Sequence, residues 1–302
     1  MKTKKDMICR FTKMQAYGND YVYIDAIRQE LPSDLSSLAV WISDRHYAVG
    51  SDGMVLICPS QRGDFRMRMF NPDGTEGEMC GNALRSLGKF VFEHHMTEKH
   101  ELKIETLGGM KELTLAVRDG KAVNIRAMIG TPELRCVKIP VVFPKEQLVH
   151  ERVTVLGRDF YLTAMSWGNP HCVVFAENVD SLDVEKYGSA IENMTNLFPK
   201  KTNVTFAQVI RPDFIKIREW ERGTGETLGC GTGCCSAVAA GVINGLCEPR
   251  ADLQQPGGIL QVSWQREQGR MYMTGPSNTV FEGEIVLPGS FQWETEEERR
   301  QQ

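Results

Sequence analysis

What this chain of 302 residues lacks already excludes several classes of function. There is no excess of positive charge, since 35 Lys and Arg stand against 39 Asp and Glu, giving a formal net charge of −4 and a pI near 5.9. Electrostatics therefore lend no support to a nucleic-acid partner, and a small molecule is the better expectation. No run of about 18 apolar residues occurs, so no membrane-crossing helix is expected. The leading MKTKKDMICRFTKMQAYGND is basic in places but carries no apolar run of signal-peptide length, which makes cytoplasmic residence the expectation. The nine cysteines (9, 58, 80, 136, 172, 230, 234, 235 and 247) are an odd set, too sparse for a small disulfide-stapled domain. Cys230, Cys234 and Cys235 are close together, but there is no pair of Cys-x-x-Cys steps such as a structural zinc site uses. Most thiols should be reduced and open to chemistry, with no metal expected.

What is present begins with a repeat. The length and a hydrophobic content of 41% suit roughly two domains with sizeable cores. Laid on itself at an offset of 150, the chain matches Gly18-Asn-Asp-Tyr-Val-Tyr-Ile-Asp25 with Gly168-Asn-Pro-His-Cys-Val-Val-Phe175. The same offset sets Arg66-Met-Arg-Met-Phe70 on Lys216-Ile-Arg-Glu-Trp220, Glu76 on Glu226 and Cys80 on Cys230. Between these anchors, 33–44 and 181–193 read as amphipathic helices, each opened by a capping Ser or Asp. Strands follow each Cys motif: 111–129 contains the hairpin signal Arg118-Asp-Gly-Lys, and 258–286 alternates through Gln265-Arg-Glu-Gln-Gly into Tyr272. The chain thus reads as two copies of one strand-rich α+β unit. A cleft between two such copies would be a preferred place for a ligand.

Each copy carries a Cys-Gly step ahead of a helical run. After Cys80 the apolar residues recur at three- and four-residue spacings, and after Cys230 the run is small and apolar nearly all round. Each cysteine is expected at a helix amino terminus, where unpaired N–H groups carry roughly half a positive charge. Such a position favours the thiolate and also binds anions. Gly81 and Gly231 let a ligand carboxylate approach those amides, and Asn82 or Thr232 adds a side-chain hydrogen bond. Two such sites facing each other would bracket one carboxylate-bearing carbon.

These residues resemble the diaminopimelate epimerase family, cofactor-independent amino-acid epimerases whose pattern stands here as Asn71-Pro-Asp-Gly-Thr-Glu-Gly-Glu-Met-Cys-Gly-Asn82. The second half resembles the family in Trp167-Gly-Asn-Pro-His-Cys172 and in Glu221-Arg-Gly-Thr-Gly-Glu-Thr-Leu-Gly-Cys-Gly-Thr-Gly233. With Gly18-Asn-Asp20 the matches span nearly the whole chain in order. The resemblance implies two pseudo-symmetric lobes, each a β-barrel-like sheet wrapped around a central helix, with the active site in the cleft between them. The lobe boundaries are expected at 1–129 plus 276–302, carrying Cys80, and at 130–275, carrying Cys230.

It further implies interconversion of LL- and meso-2,6-diaminopimelate, on the route to lysine and peptidoglycan precursors, by a homodimer without pyridoxal phosphate. Cys80 and Cys230 would be the thiolate and thiol pair, with His171 and Glu221 tuning their protonation. Gly81, Asn82, Gly231 and Thr232 would hold the reacting carboxylate, with Asn19 nearby. Asn71, Asn169, Asn203, Glu221 and Arg222 would bind substrate, and Arg222 suits a distal carboxylate through a bidentate fork. Glu226 is expected to be structural. Some members carry a glutamine after the Asp of the Gly-x-Asp step, where this chain has Gly53, so that contact is expected to be missing or backbone-only. Trp167 and Trp220 stand beside proposed substrate residues and are expected to narrow the pocket, while Met1–Met7 and Trp293–Gln302 read as solvated extensions. The competing readings are a racemase of another amino acid such as histidine, a non-catalytic amino-acid binding protein, and a zinc-stabilised structural protein.

Overall fold

The structure is a computed structural model that describes residues 7–289 and 291. The extensions expected at Met1–Met7 and Trp293–Gln302 fall, apart from Met7, outside the described residues. The chain divides into two compact units: residues up to Ile125 together with those from Pro276 onward, and Arg126–Gly275.

In the first unit, β1 (Met7–Ala16) and β2 (Asn19–Asp25) form an antiparallel hairpin. Its two-residue turn, Tyr17-Gly18, has positive φ at both positions, the twist that matches flanking strands. Helix α1 (Leu35–Ser43) starts where the Asp34 carboxylate accepts the Ser37 N–H, and it crosses to β3 (Met54–Cys58), which runs parallel to β2. Leu38, Ala39 and Ile42 of α1 bury against Val22, Ile24, Met54 and Leu56 on one face of the sheet. Next come β4 (Phe65–Phe70), antiparallel to β3, and the short β5 (Glu76–Gly77), which turns back onto β4. Helix α2 (Gly81–Glu93) follows, buried over nearly its whole length. β6 (Glu101–Thr106) runs parallel to β4 and pairs with β7 (Gly109–Arg118), and the turn Asp119-Gly120, again with positive φ, leads into β8 (Lys121–Gly130), a strand that begins in the first unit and ends in the second. The strand Asn278–Leu287 pairs with β1 at the opposite edge.

The second unit repeats this order. β9 (Glu151–Val155) edges β10 (Arg158–Ser166), which pairs antiparallel with β11 (Pro170–Phe175). Helix α3 (Val184–Glu192), capped by Asp183, crosses to β12 (Asn203–Arg211), parallel to β11. β13 (Phe214–Glu221) and the short β14 (Gly225–Thr227) lead to α4 (Gly231–Ile243), then β15 (Arg250–Gln255), β16 (Gly258–Gln265) and β17 (Arg270–Gly275). β13 pairs antiparallel with β12 and parallel with β15, as β4 does with β3 and β6. The sheet curls around α4, which touches β11, β12, β13, β15, β16 and β17.

The offset of 150 read in the sequence survives in three dimensions: α2 and α4 begin and end 150 positions apart. One ion pair is repeated with them. Arg68 grips Glu76 with two bonds of 2.8 Å, and Arg218 grips Glu226 with bonds of 2.7 and 2.8 Å. In each unit this bidentate pair ties the strand before the Cys loop to that loop, which makes Glu226 a structural carboxylate. Among the described residues no helix is long and apolar enough to cross a membrane.

Candidate active site

Both cysteines of the repeated motif stand at helix N-cap positions with extended backbone: Cys80 at φ −125°, ψ 126° and Cys230 at φ −119°, ψ 112°. The chain arrives from a short strand, turns at cysteine and continues into a helix whose first amides have no intrahelical acceptor. A glycine follows each cysteine, so no side chain screens those amides.

In the first unit the half-buried Cys80 directs its thiol at Asn19 Oδ1, 3.4 Å away. Asn19 is held by its amide nitrogen, which donates to Asp52 Oδ2 at 2.9 Å. Asp52 in turn is bridged by Arg45, which also binds Asp20, and Lys13 pairs with Asp20 as well. Burial pushes the Asp20 carboxyl up, but the Arg45 and Lys13 cations beside it hold it below the usual carboxylate range. Asn82 Nδ2 also points to Asn19 Oδ1 at 3.4 Å, and Asn82 Oδ1 accepts a 2.8 Å bond from Arg85. Arg85 is fully buried on α2 and curls back along the first turn to the Gly81 carbonyl at 3.3 Å. Asn71 sits in the loop before Cys80, its amide donating to Thr75 Oγ1 at 2.9 Å.

Tyr21, which the sequence reading passed over, is a neighbour of Cys80. Its buried hydroxyl hydrogen-bonds with Cys80 and Asn19, and burial first, then the Cys80 charge, push it well above the usual phenol value. The repeat itself held the signal, since the offset of 150 pairs Tyr21 with His171.

In the second unit Cys230 is nearly fully buried. Its sulfur accepts the Gly233 N–H at 3.4 Å and lies 3.5 Å from Thr232 Oγ1, while its own N–H is held by Gln255 Oε1 at 3.1 Å. Thr232 Oγ1 is 3.0 Å from His171 Nε2, and Asn203 Nδ2 approaches the same nitrogen at 3.4 Å. Asn203 Oδ1 accepts the Arg222 backbone N–H at 2.8 Å, which fixes the orientation of its amide. Parallel register explains why His171 and Asn203 meet: they are direct partners on β11 and β12. Glu221 accepts from Thr227 Oγ1 at 2.6 Å, and burial pushes its carboxyl up. Arg222 is exposed and donates from Nη1 to the Lys200 carbonyl at 2.8 Å, while Asn169 lies half-buried in the bend before β11.

One expectation fails here. A helix amino terminus was expected to favour thiolate, yet the Cys230 thiol lies well above its ordinary value, because burial dominates and the Glu221 and Glu219 carboxylates add to it. The Thr232 hydroxyl and the Gly233 amide pull the other way without prevailing. The expected gap at residue 53 has a steric cause: Gly53 has φ +150°, and a Cβ there would lie 2.2 Å from the Phe70 carbonyl oxygen and 2.9 Å from the Tyr21 ring. Trp220 does not stand free in a pocket. It packs on Gly188 of α3 and donates to Glu192 at 2.7 Å, and Trp167 donates to Ser236 at 2.9 Å. Among the described residues no three His, Cys, Asp or Glu side chains converge as a metal site would require, and all nine cysteines are free thiols.

Comparison with known proteins adds sequence and fold. The family model described as diaminopimelate epimerase matches residues 11–135 and 163–280. A diaminopimelate epimerase of Acetivibrio thermocellus is 48% identical over 92% of this chain and 99% of its own length. One from Methanococcus maripaludis is 46% identical over 92% of this chain and all of its own. Among solved structures, a hydroxyproline epimerase from Agrobacterium vitis superposes with a TM-score of 0.69 at 14% identity, covering 96% of this chain and 95% of its own. A Bacillus anthracis protein of the PhzF family does so with 0.67 at 17%, covering 93% and 100%. These structural likenesses carry the two-unit α+β fold.

Proposed function

We propose that this chain, which belongs to the diaminopimelate epimerase family, interconverts LL- and meso-2,6-diaminopimelate, with Cys80 and Cys230 as the acid–base pair. The observation that carries this reading is the repeated N-cap cysteine, each at the amino end of the buried helix of one of two topologically equal units. In one direction a thiolate takes the α-proton and becomes a thiol, and the electron pair left on carbon delocalises into the substrate carboxylate. The other thiol delivers its proton to the opposite face and becomes the thiolate, so atoms and charge balance and the two cysteines have exchanged states.

The helix-end amides at Gly81, Asn82, Gly231 and Thr232 stabilise the charge that develops on the carboxylate. Asn19 orients the Cys80 thiol, and His171 and Glu221 set the protonation of Cys230. The distal amino acid group falls to Asn71, Asn169, Asn203, Glu221 and Arg222. Arg222 suits this task because it is exposed and, among the described residues, one of its guanidinium nitrogens is engaged, by a backbone carbonyl. The two compact units are the two lobes of the enzyme. The protein acts as a cytoplasmic homodimer in the synthesis of lysine and of peptidoglycan precursors.

The deciding experiment is exchange of the substrate α-proton for deuterium in heavy water by the fully reduced protein. Exchange and inversion are expected for diaminopimelate, with loss of inversion in Cys80→Ser and in Cys230→Ser. Turnover of histidine without diaminopimelate, or both variants matching the parent, overturns the assignment. Light scattering checks the dimer.

A further inference from the structure

Glu219 stands at a position where the strand pattern calls for an apolar residue. Along β13 the buried face is Ile215, Ile217 and Glu219, and on β4 of the first unit the same face is Phe65, Met67 and Met69. Glu219 is 2% exposed, and both its carboxylate oxygens are buried without a hydrogen bond. A carboxylate left so in a core is costly and is retained where it does something else. His171 Nδ1 lies 3.5 Å from it, a fully buried nitrogen that also has no hydrogen bond. On its other side the carboxylate presses against the first turn of α4, where a Cβ on Gly233 would meet Glu219 Oε2 at 2.5 Å.

The tautomer of His171 follows from its other contacts. Asn203 offers Nδ2, which only donates, to His171 Nε2, so Nε2 carries the lone pair and a neutral ring has its proton on Nδ1, facing Glu219. Nε2 then accepts the Thr232 hydroxyl at 3.0 Å, and the oxygen lone pairs of Thr232 are left for the Cys230 S–H at 3.5 Å.

We propose that Glu219 is a positioning residue for Cys230: it holds His171 as the Nδ1–H tautomer and, through Nε2 and the Thr232 hydroxyl, fixes where the thiol proton of Cys230 is held. The inference rests on the reading of Cys230 as one of the two acid–base thiols. The titratable groups around that sulfur are Glu219 and Glu221 on β13, His171 on β11 and Cys234 on α4, with Cys172 of β11 also facing Glu219. Of these, Glu219 joins His171 on one side and α4 on the other. When Cys230 loses its proton, the Thr232 hydroxyl turns from Nε2 to donate to the sulfur, while Nε2 keeps the Asn203 amide as its donor and Nδ1 keeps its proton toward Glu219. Thr232 thus serves the thiol as acceptor and the thiolate as donor, while His171 stays in the tautomer that Glu219 holds. In the first unit the counterparts of Glu219 and His171 are Met69 and Tyr21, so this arrangement belongs to Cys230 alone.

The test compares Glu219→Gln, which keeps shape and one acceptor but removes the charge, with Glu219→Met, which installs the residue found at position 69. For Glu219→Gln one limb of the pH profile of kcat/KM on diaminopimelate should move to lower pH by about one unit, because removing a nearby negative charge eases ionisation of Cys230. Glu219→Met should show the same shift and lose at least about tenfold more rate, because His171 no longer has an acceptor to hold its tautomer. Cys230 alkylation by iodoacetamide, read by peptide mass against pH, should shift in parallel. Limbs unchanged in both variants, or failure of both to fold, overturns the proposal. A parent inactive on diaminopimelate counts against the proposed substrate, and the alkylation profile then decides the role of Glu219 by itself.

Discussion

The Asn19 side chain is clamped between Asp52 at 2.9 Å and the Cys80 thiol at 3.4 Å, which fixes its carbonyl oxygen as the acceptor that Cys80 sees. Because the amide cannot turn without breaking the Asp52 bond, the thiol has a neutral acceptor whose orientation is set two residues deep in the network. In Asn19→Asp a carboxylate would take that place and disfavour the Cys80 thiolate. A limb of the pH–rate profile should move to higher pH, with a loss of about tenfold at fixed pH per unit moved. The shift has the opposite sign to that of Glu219→Gln, so the two variants examined side by side assign the limbs to the two cysteines.

Gly53→Gln tests whether the glutamine of other family members can be restored. The backbone at φ +150° and the Phe70 carbonyl 2.2 Å from a new Cβ leave no room for it. The variant should lose at least about 3 kcal/mol of stability in urea unfolding, from backbone strain together with overpacking. A stable, active Gly53→Gln protein would show that the β2–β3 junction is softer than the contact implies.

Glu221 gives a stability signature of known sign. Its carboxyl is raised, chiefly by burial, so the protonated form is preferred in the fold. The stability this group contributes is complete below the ordinary Glu value near 4.3 and is lost as pH rises through the raised value. Glu221→Gln keeps an acceptor for Thr227 and removes that loss. It should melt a few degrees above the parent at pH 8, the difference shrinking as the pH is lowered toward about 4. Calorimetry across that range checks it.

Asp20 behaves in the opposite way. Held low by Arg45 and Lys13 against its burial, it contributes stability that is present above the ordinary Asp value near 3.9 and lost as pH falls through its lowered value. Asp20→Asn should cost about 1–3 kcal/mol at pH 7, with the gap to the parent closing at strongly acid pH. It should also loosen Asp52 and hence Asn19, visible as a fall in kcat/KM beyond the stability change.

Much of the architecture was legible in the order of residues. Local signals made it so: the capping Asp34 and Asp183, the Asp119-Gly120 turn, the strand alternation and the Cys-Gly steps all act within a few residues of where they are written. The offset that pairs Cys80 with Cys230 reappears as equal helices and as the repeated Arg68–Glu76 and Arg218–Glu226 clamps. Glu219 and Tyr21 were harder to see, though each left a trace, one as a charge in the buried phase of a strand and the other as the partner of His171 in the repeat.

By itself, then, the sequence determined that two copies of one unit would each present a thiol at a helix end, since duplication and capping are properties of neighbouring residues. Only the tertiary structure decided how each thiol is treated. Around Cys230, strand register brings His171, Asn203, Glu219 and Glu221 together, and burial of the thiol, with the two carboxylates beside it, pushes it up where the helix end would have pulled it down. Desolvation depends on everything packed around a group, and no local pattern of residues encodes that sum.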